Sequence, residues 1–283
     1  MIIDGERYAN ELNIALSEKC NILQKQYGRA PSLHVVLIGE NPASQVYVKM
    51  KQKRAEEIGV ESVIHLLDEN VSQKDVLWKI QGLNVDEDVD GILVQMPLPA
   101  HLNTEEIIEA VNPKKDVDGL TSANLGKLLR NRATLMPCTP LGCMYLLKQW
   151  RSDLAGLHAV IVGRSILVGK PLGLLLSQAN VTVTTCHSKT KNLAFHTQQA
   201  DILIAACGIP NLIGEKHVKP GACVIDVGIT KLPTGKLYGD VDFNAVKPVA
   251  DAITPVPFGV GPMTVSYLMA NTILAMEEGV KST

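Results

Sequence analysis

The run from His158 to Thr190 carries the clearest chemical signal in this chain. It opens His-Ala-Val-Ile-Val-Gly-Arg-Ser-Ile-Leu-Val-Gly-Lys-Pro-Leu-Gly and closes Thr-Cys-His-Ser-Lys-Thr, which reads as strand, glycine-bearing loop, helix, strand. Backbone N–H groups at the start of such a helix bind a pyrophosphate, and the end of the second strand meets the adenosine ribose. A carboxylate there would accept hydrogen bonds from a free 2′-hydroxyl and repel a 2′-phosphate. This chain has His187, Ser188 and Lys189 instead, with Arg164 in the first turn, a set that suits a phosphate. The stretch therefore points to NADP and redox chemistry. The spacing Gly163-x5-Gly169-x3-Gly173 departs from the usual G-x-G-x-x-G, and an ordinary βαβ unit with glycines in its tight turns shares it.

Other chemistry-bearing residues lie in the first half. Tyr47 and Lys51 are four apart on a predicted helix and share a face. A Lys desolvated beside a phenol loses its proton at moderate pH and can act as base or acid. Flanked by Lys49 and Lys53, however, it reads more readily as part of a solvated face. Gln95 sits in the apolar run Gly-Ile-Leu-Val-Gln-Met. Burying its amide unpaired costs on the order of 1–3 kcal/mol, so it has a protein partner or faces a site. Asp116 and Asp118, in Lys-Lys-Asp-Val-Asp-Gly, form an Asx turn on the plainer reading. On the other, a carboxylate here binds the paired N–H donors of an amidine-like heterocycle.

These residues need a scaffold, and the first half supplies alternating strands and helices. Strands are predicted over 33–39, 61–67 and from 90, with helices over 10–27, 43–58, 71–83 and 104–111. Such alternation argues for a parallel sheet with helices on both faces. Residues 118–140 have little periodicity and read as a boundary, followed by a helix over 141–150. Four further strands are predicted, over 159–162, 181–185, 202–206 and 223–228. The Pro- and Gly-rich segment after Asp251 reads as neither helix nor strand. A closing helix is expected over 263–278, with Pro262 in its first turn.

With 46% hydrophobic and 20% charged residues, the chain can bury a sizeable core, and its length suits two domains of about 100–150 residues. A net charge of −2 without a long basic run makes nucleic acid and anionic membranes poor partners. Apolar runs are strand-sized and broken by Pro, Gly or Asp, and the N-terminal Met-Ile-Ile-Asp-Gly-Glu-Arg is charged where a signal peptide is apolar. The cysteines at 20, 138, 143, 186, 207 and 223 lack C-x-x-C spacing and are expected to be buried reduced thiols. No metal is expected, because the histidines show no ligand spacing.

Together, Tyr47-x3-Lys51, Gly91-Ile-Leu-Val-Gln95 with Pro97-Leu-Pro99, Lys115-Asp-Val-Asp118-Gly, Pro137-Cys-Thr-Pro140, Gly163-Arg-Ser165 with Val168-Gly169, and Gly259-Val-Gly-Pro-Met-Thr264 are similar to one family. The chain resembles, over essentially its whole length, the bifunctional methylenetetrahydrofolate dehydrogenase/methenyltetrahydrofolate cyclohydrolases. The resemblance implies a cytoplasmic homodimer of two α/β domains with the active site in the cleft between them. Residues 1–139 and 263–283 would form the folate-binding catalytic domain. Residues 140–262 would form the NADP domain, a Rossmann-like doubly wound parallel sheet. Tyr47 would pack on the pterin-side rings, Asp118 would hold the pterin amino edge, and Lys51 would move protons beside Gln95. Arg164, Ser165 and Ser188 would lie near the 2′-phosphate, with Gly163, Val168, Gly169 and Ile229 also on the coenzyme. Pro257, Gly259, Gly261 and Pro262 would help to bind the tetrahydrofolate substrate.

One residue departs from the family, whose run is Pro-Gly-Gly-Val-Gly-Pro-Met-Thr: here the second position is Phe258. If that glycine serves a backbone with positive φ, Phe is a poor replacement. A catalytically silent nucleotide-binding homologue is the alternative this raises. A shikimate-type NADP dehydrogenase also pairs a Lys with an Asp, but it requires neither Tyr47 on the same helix nor the Gly-Val-Gly-Pro-Met-Thr run.

Overall fold

A computed structural model describes residues 1–232 and 235–280. The chain divides into two compact units: a first of Glu11–Cys138 with Val265 onward, and a second of Met1–Asn10 with Thr139–Thr264.

The first unit is built from α1 (Gly5–Tyr27, whose first turns belong to the second unit), β1 (Ser32–Ile38), α2 (Pro42–Ile58), β2 (Glu61–Leu67), α3 (Gln73–Val85), β3 (Gly91–Val94), α4 (Thr104–Glu109) and α5 (Ser122–Leu129). Its sheet is parallel, in the order β2-β1-β3. The near-continuous apolar run of β1 follows from burial on both faces. Val35 and Leu37 pack with Val48, Ile58 and Met269, whereas Val36 and Ile38 pack with Val76, Ile80 and Ile107. Side-chain caps fix where helices start: Ser72 Oγ accepts the Asp75 N–H at 3.2 Å and Asn103 Oδ1 that of Glu106 at 3.3 Å. Each such cap contributes about 1 kcal/mol.

The second unit holds α6 (Cys138–Trp150), β4 (His158–Val162), α7 (Gly169–Gln178), β5 (Thr182–Cys186), α8 (Leu193–Thr197), β6 (Ile202–Ala205), β7 (Cys223–Asp226), the two-residue strands β8 (Thr230–Lys231) and β9 (Leu237–Tyr238), α9 (Phe243–Val246) and β10 (Ala252–Ile253). The last helix, α10, runs Val260–Val280 and crosses the unit boundary in sequence. The main sheet is parallel in the order β10-β7-β6-β4-β5. Chain order thus reverses at β4, with β5 on one side and β6 on the other, the switch point at which open α/β sheets bind ligands.

Three features differ from expectation. The stretch read as a boundary contains α5, opened by Thr121, whose hydroxyl accepts the Asn124 N–H at 3.4 Å. Met1–Asn10 belong to the second unit because the chain start lies along β10: Ile3 N–H donates to Ile253 O at 2.9 Å, and Ile253 N–H to Met1 O at 3.0 Å. Pairing with β7 makes a strand of Ala252–Ile253, in a segment read as irregular. Five cysteines are buried and Cys207 is half-buried. Among the described residues no helix is long and apolar enough to cross a membrane.

Candidate active site

In the first unit, α2, β3 and the segment after α4 bring three of the expected residues together. An isolated parallel bridge pairs Ile92 with Asp116, so residues 115–118 run alongside β3 and Asp118 arrives near its carboxyl end. Gln95, just past that end, is 8% exposed, and its backbone N–H donates to Val36 O at 2.9 Å. Its side chain has a protein partner at each end: Lys51 Nζ donates to Oε1 at 2.8 Å, and Nε2 donates to Met96 O at 2.7 Å. Lys49 and Lys53 are exposed, and Lys53 makes only a loose surface pair with Glu57 at 3.9 Å. Lys51 is therefore set apart from the solvated face in which it seemed to lie.

Burial pushes the Lys51 ammonium below the ordinary Lys range, against the opposing pull of Asp118 and Cys138. The Asp118 carboxyl is pushed up, chiefly by burial and further by Asp116, against the nearby Lys51 charge and a Cys138 hydrogen bond. Both groups are driven toward neutrality, the condition under which a side chain can take a proton and return it. Tyr47, one helical turn from Lys51, is half-buried, and burial raises its phenol, which stays protonated.

The two aspartates separate cleanly. Asp116 forms the turn: Oδ1 accepts the N–H of Leu120 at 3.2 Å, and Oδ2 accepts Thr121 N–H at 2.8 Å and Asn124 Nδ2 at 2.9 Å. Asp118 stands outside that turn and is half-buried; both aspartates border a small cavity also walled by Val94, Met96 and Ile108. The sequence reading missed two neighbours. Cys138, 1% exposed, donates to Val117 O at 3.3 Å, and Asn271 Nδ2 donates to Val117 O and to Met136 O, each at 2.8 Å. These bonds fix the carbonyl immediately before Asp118. An Asn inside the otherwise apolar run of α10 was the available signal.

The second unit carries the residues expected to meet the coenzyme. Gly163 ends β4 with φ +137°, and a Cβ there would strike the Ala206 carbonyl; one on Gly169 would strike the Gly163 carbonyl. Gly173 is different, since a Cβ would meet Ile161 at an ordinary 3.6 Å. Two of the three glycines are thus required by the loop itself. Ser165 Oγ accepts the Val168 N–H at 3.1 Å, closing the turn, and no side chain caps α7 at Val168. Lys170 N–H donates to Ser165 O at 3.0 Å and Pro171 has no N–H, so of the first turn the Gly169 N–H is left for an anion. At the end of β5, Thr190 Oγ1 accepts the His187 N–H at 2.9 Å, fixing a turn on which Ser188 and Lys189 are exposed. Arg164 is exposed on the adjoining loop, and Ile229 is exposed beyond β7. These residues fit a dinucleotide with a 2′-phosphate: a cradle that admits no Cβ, the Gly169 N–H at a helix start, and cations in place of a carboxylate.

Pro257, Gly259, Gly261 and Pro262 form the loop and first turn leading into α10. A Cβ on Gly259 would strike the Pro255 carbonyl. Phe258 has φ +79°, the left-handed backbone that a family glycine adopts freely, and its carbonyl accepts the Glu6 N–H at 3.1 Å.

Comparison with known proteins gives whole-length matches. Residues 3–118 match the model of the tetrahydrofolate dehydrogenase/cyclohydrolase catalytic domain, and residues 137–280 that of its NAD(P)-binding domain. The "Bifunctional protein FolD" of Wolbachia sp. subsp. Drosophila simulans is 49% identical over 283 residues, covering 99% of this chain and 97% of its own. The crystal structure of the bifunctional FolD methylenetetrahydrofolate dehydrogenase/cyclohydrolase of Campylobacter jejuni is 45% identical, with a TM-score of 0.96 over 98% of this chain and 99% of that one. The Trypanosoma brucei dehydrogenase-cyclohydrolase, crystallised with NADP cofactor and an inhibitor, is 36% identical with a TM-score of 0.96, covering 99% of this chain and 98% of its own.

Proposed function

The chain belongs to the tetrahydrofolate dehydrogenase/cyclohydrolase family, and on that footing we propose how its residues divide the two reactions. It oxidises 5,10-methylenetetrahydrofolate to 5,10-methenyltetrahydrofolate with NADP and hydrolyses that product to 10-formyltetrahydrofolate. Bound NADP supplies the acceptor for the hydride that leaves the one-carbon bridge.

Oxidation leaves a cation delocalised over two nitrogens, and no proton departs in that step. A general base is unnecessary there, so the protein's part is position and electrostatics. Tyr47 packs against the pterin-side rings, and Asp118 faces the pterin amino edge. Gly163, Val168 and Gly169 cradle the pyrophosphate, Arg164, Ser165 and Ser188 face the 2′-phosphate, and Ile229 lies against the coenzyme. Pro257, Gly259, Gly261 and Pro262 border the folate.

Hydrolysis makes different demands. Water attacks the methenyl carbon and must give up a proton, and a ring nitrogen must gain one as its bond to that carbon breaks. Neutral Lys51 takes the first proton and delivers it to the nitrogen. The second water proton leaves as the formyl C=O forms. Gln95 holds Lys51 at the reacting carbon. The observation that carries this reading is the 2.8 Å contact from Lys51 Nζ to Gln95 Oε1, on a Lys whose pKa burial lowers.

The test is a coupled assay following NADPH appearance and methenyltetrahydrofolate decay, run with NADP and with NAD. NADP-dependent oxidation followed by hydrolysis is expected. Normal coenzyme binding without turnover would identify a silent homologue instead. We place the enzyme in the cytoplasm as a homodimer, which the resemblance and the buried free thiols support. Light scattering that gave a monomer mass would contradict the dimer.

A further inference from the structure

Two carboxylates unused by this mechanism are buried at the carboxyl edge of the second-unit sheet. Asp226 closes β7 and Asp240 follows β9, and they are 3% and 0% exposed. Asp240 Oδ2 accepts the backbone N–H of Cys207 at 2.6 Å and of Gly208 at 3.0 Å, just past β6. Its Oδ1 has no hydrogen-bond partner. Asp226 Oδ1 accepts the N–H of Gly228 at 3.1 Å and of Asp240 at 2.9 Å, and its Oδ2 accepts that of Val241 at 3.0 Å. Two glycines make room for this. A Cβ on Gly228 would strike the Asp240 carboxyl, and one on Gly239 would strike Oδ2 of Asp226.

The pair therefore binds together the loops after β6, β7 and β9. Burying a carboxylate with one oxygen unpaired is unfavourable, and burial also pushes the Asp226 carboxyl up to about 7. Fold stability alone is a poor reason for such a pair. Its position supplies a better one. A dinucleotide spans the reversal at β4, with one mononucleotide on each half of the sheet. With Arg164 and Ser188 taking the 2′-phosphate on the β4–β5 side, the β6–β7 side takes the nicotinamide half.

We propose that Asp240, braced by Asp226, is the positioning residue of the nicotinamide half. It holds the Cys207 and Gly208 amides, and Asp226 the Gly228–Ile229 turn, in the conformation that receives the coenzyme. It touches no coenzyme atom itself. The proposal rests on the coenzyme reading given above.

The test is titration of NADP, NAD and, separately, tetrahydrofolate into wild type, Asp240→Ala and Asp240→Asn. Asp240→Ala should weaken NADP and NAD by the same factor, roughly 10- to 100-fold, because both share the nicotinamide half. The tetrahydrofolate Kd should hold, and Asp240→Asn, which keeps an acceptor oxygen toward the amides, should recover most of the loss. Should Asp240→Ala not fold, Asp226→Asn should give the same coenzyme-only loss. Wild-type coenzyme affinity in both Asp240→Ala and Asp226→Asn, a loss confined to NADP, or equal loss of tetrahydrofolate would overturn the proposal. A wild-type protein that binds neither coenzyme would instead overturn the coenzyme reading, and the proposal with it.

Discussion

Phe258 allows a sign to be predicted, not just a size. Its φ of +79° costs an L-residue roughly 1–2 kcal/mol. The side chain is 55% exposed, so under half of it is covered. A Phe buries about 150–250 Å² when fully enclosed, and the covered part contributes at most about 3 kcal/mol at ~25 cal/mol per Å². Strain and burial are therefore comparable. Phe258→Ala loses the burial and keeps the strain. Phe258→Gly loses both and adds about 0.5–1 kcal/mol of unfolded-chain entropy. Gly should therefore be more stable than Ala here by about 0.5–1 kcal/mol, the reverse of their usual order. Urea unfolding near neutral pH, followed by Trp150 emission in a Trp78→Phe background, reads this directly. Trp150 belongs to the same unit, and its indole donates to Asp251 Oδ2 at 2.6 Å. An Ala variant at least as stable as the Gly variant would refute the reasoning.

Arg164→Ala should weaken NADP by about 1.5–3 kcal/mol, the value of hydrogen bonds to a charged group, and leave NAD unchanged. Equal losses in calorimetric titrations would show that Arg164 does not read the 2′-phosphate. The His34–His65 pair predicts acid lability in the first unit. The rings meet at 2.9 Å, and burial pushes both below 6.5, His65 to about 4, where the Lys79 charge and His34 add to the effect. As pH falls from 6.5 toward 4, the unfolded chain binds protons that the folded pair refuses, so stability is full above 6.5 and declines through that window. Urea midpoints should fall over this range in wild type and fall less in His65→Gln; equal falls would remove the pair from the explanation.

Much of this was legible in the sequence because short-range rules decide it. The i,i+4 spacing of Tyr47 and Lys51 fixes their shared face, and the absence of a carboxylate at 187–190 needs no coordinates. What escaped depends on partners distant in the chain. Lys51 looked like one of three surface lysines until Gln95, just past β3, was placed against it. Asp116 and Asp118 were indistinguishable until the bridge to Ile92 and the bonds from Leu120, Thr121 and Asn124 put Asp116 in the turn and left Asp118 outside it. Helix α5 was missed because Thr-Ser-Ala-Asn-Leu-Gly has loop composition, though its Thr is a cap. The Asp226–Asp240 pair joins strands and loops that no local pattern relates.

The division of labour between the two reactions is tested most directly by Lys51→Met, which keeps an unbranched chain of similar reach and removes the titratable nitrogen. Both activities should be measured on the same preparation. Cyclohydrolase should fall by about 10²- to 10⁴-fold, the usual contribution of general acid–base catalysis, while a measurable part of the NADP-dependent dehydrogenase remains. If both activities survived, Lys51 would not be the proton carrier. If the dehydrogenase vanished as well with NADP and tetrahydrofolate still bound, the claim that oxidation needs no base from this chain would be contradicted.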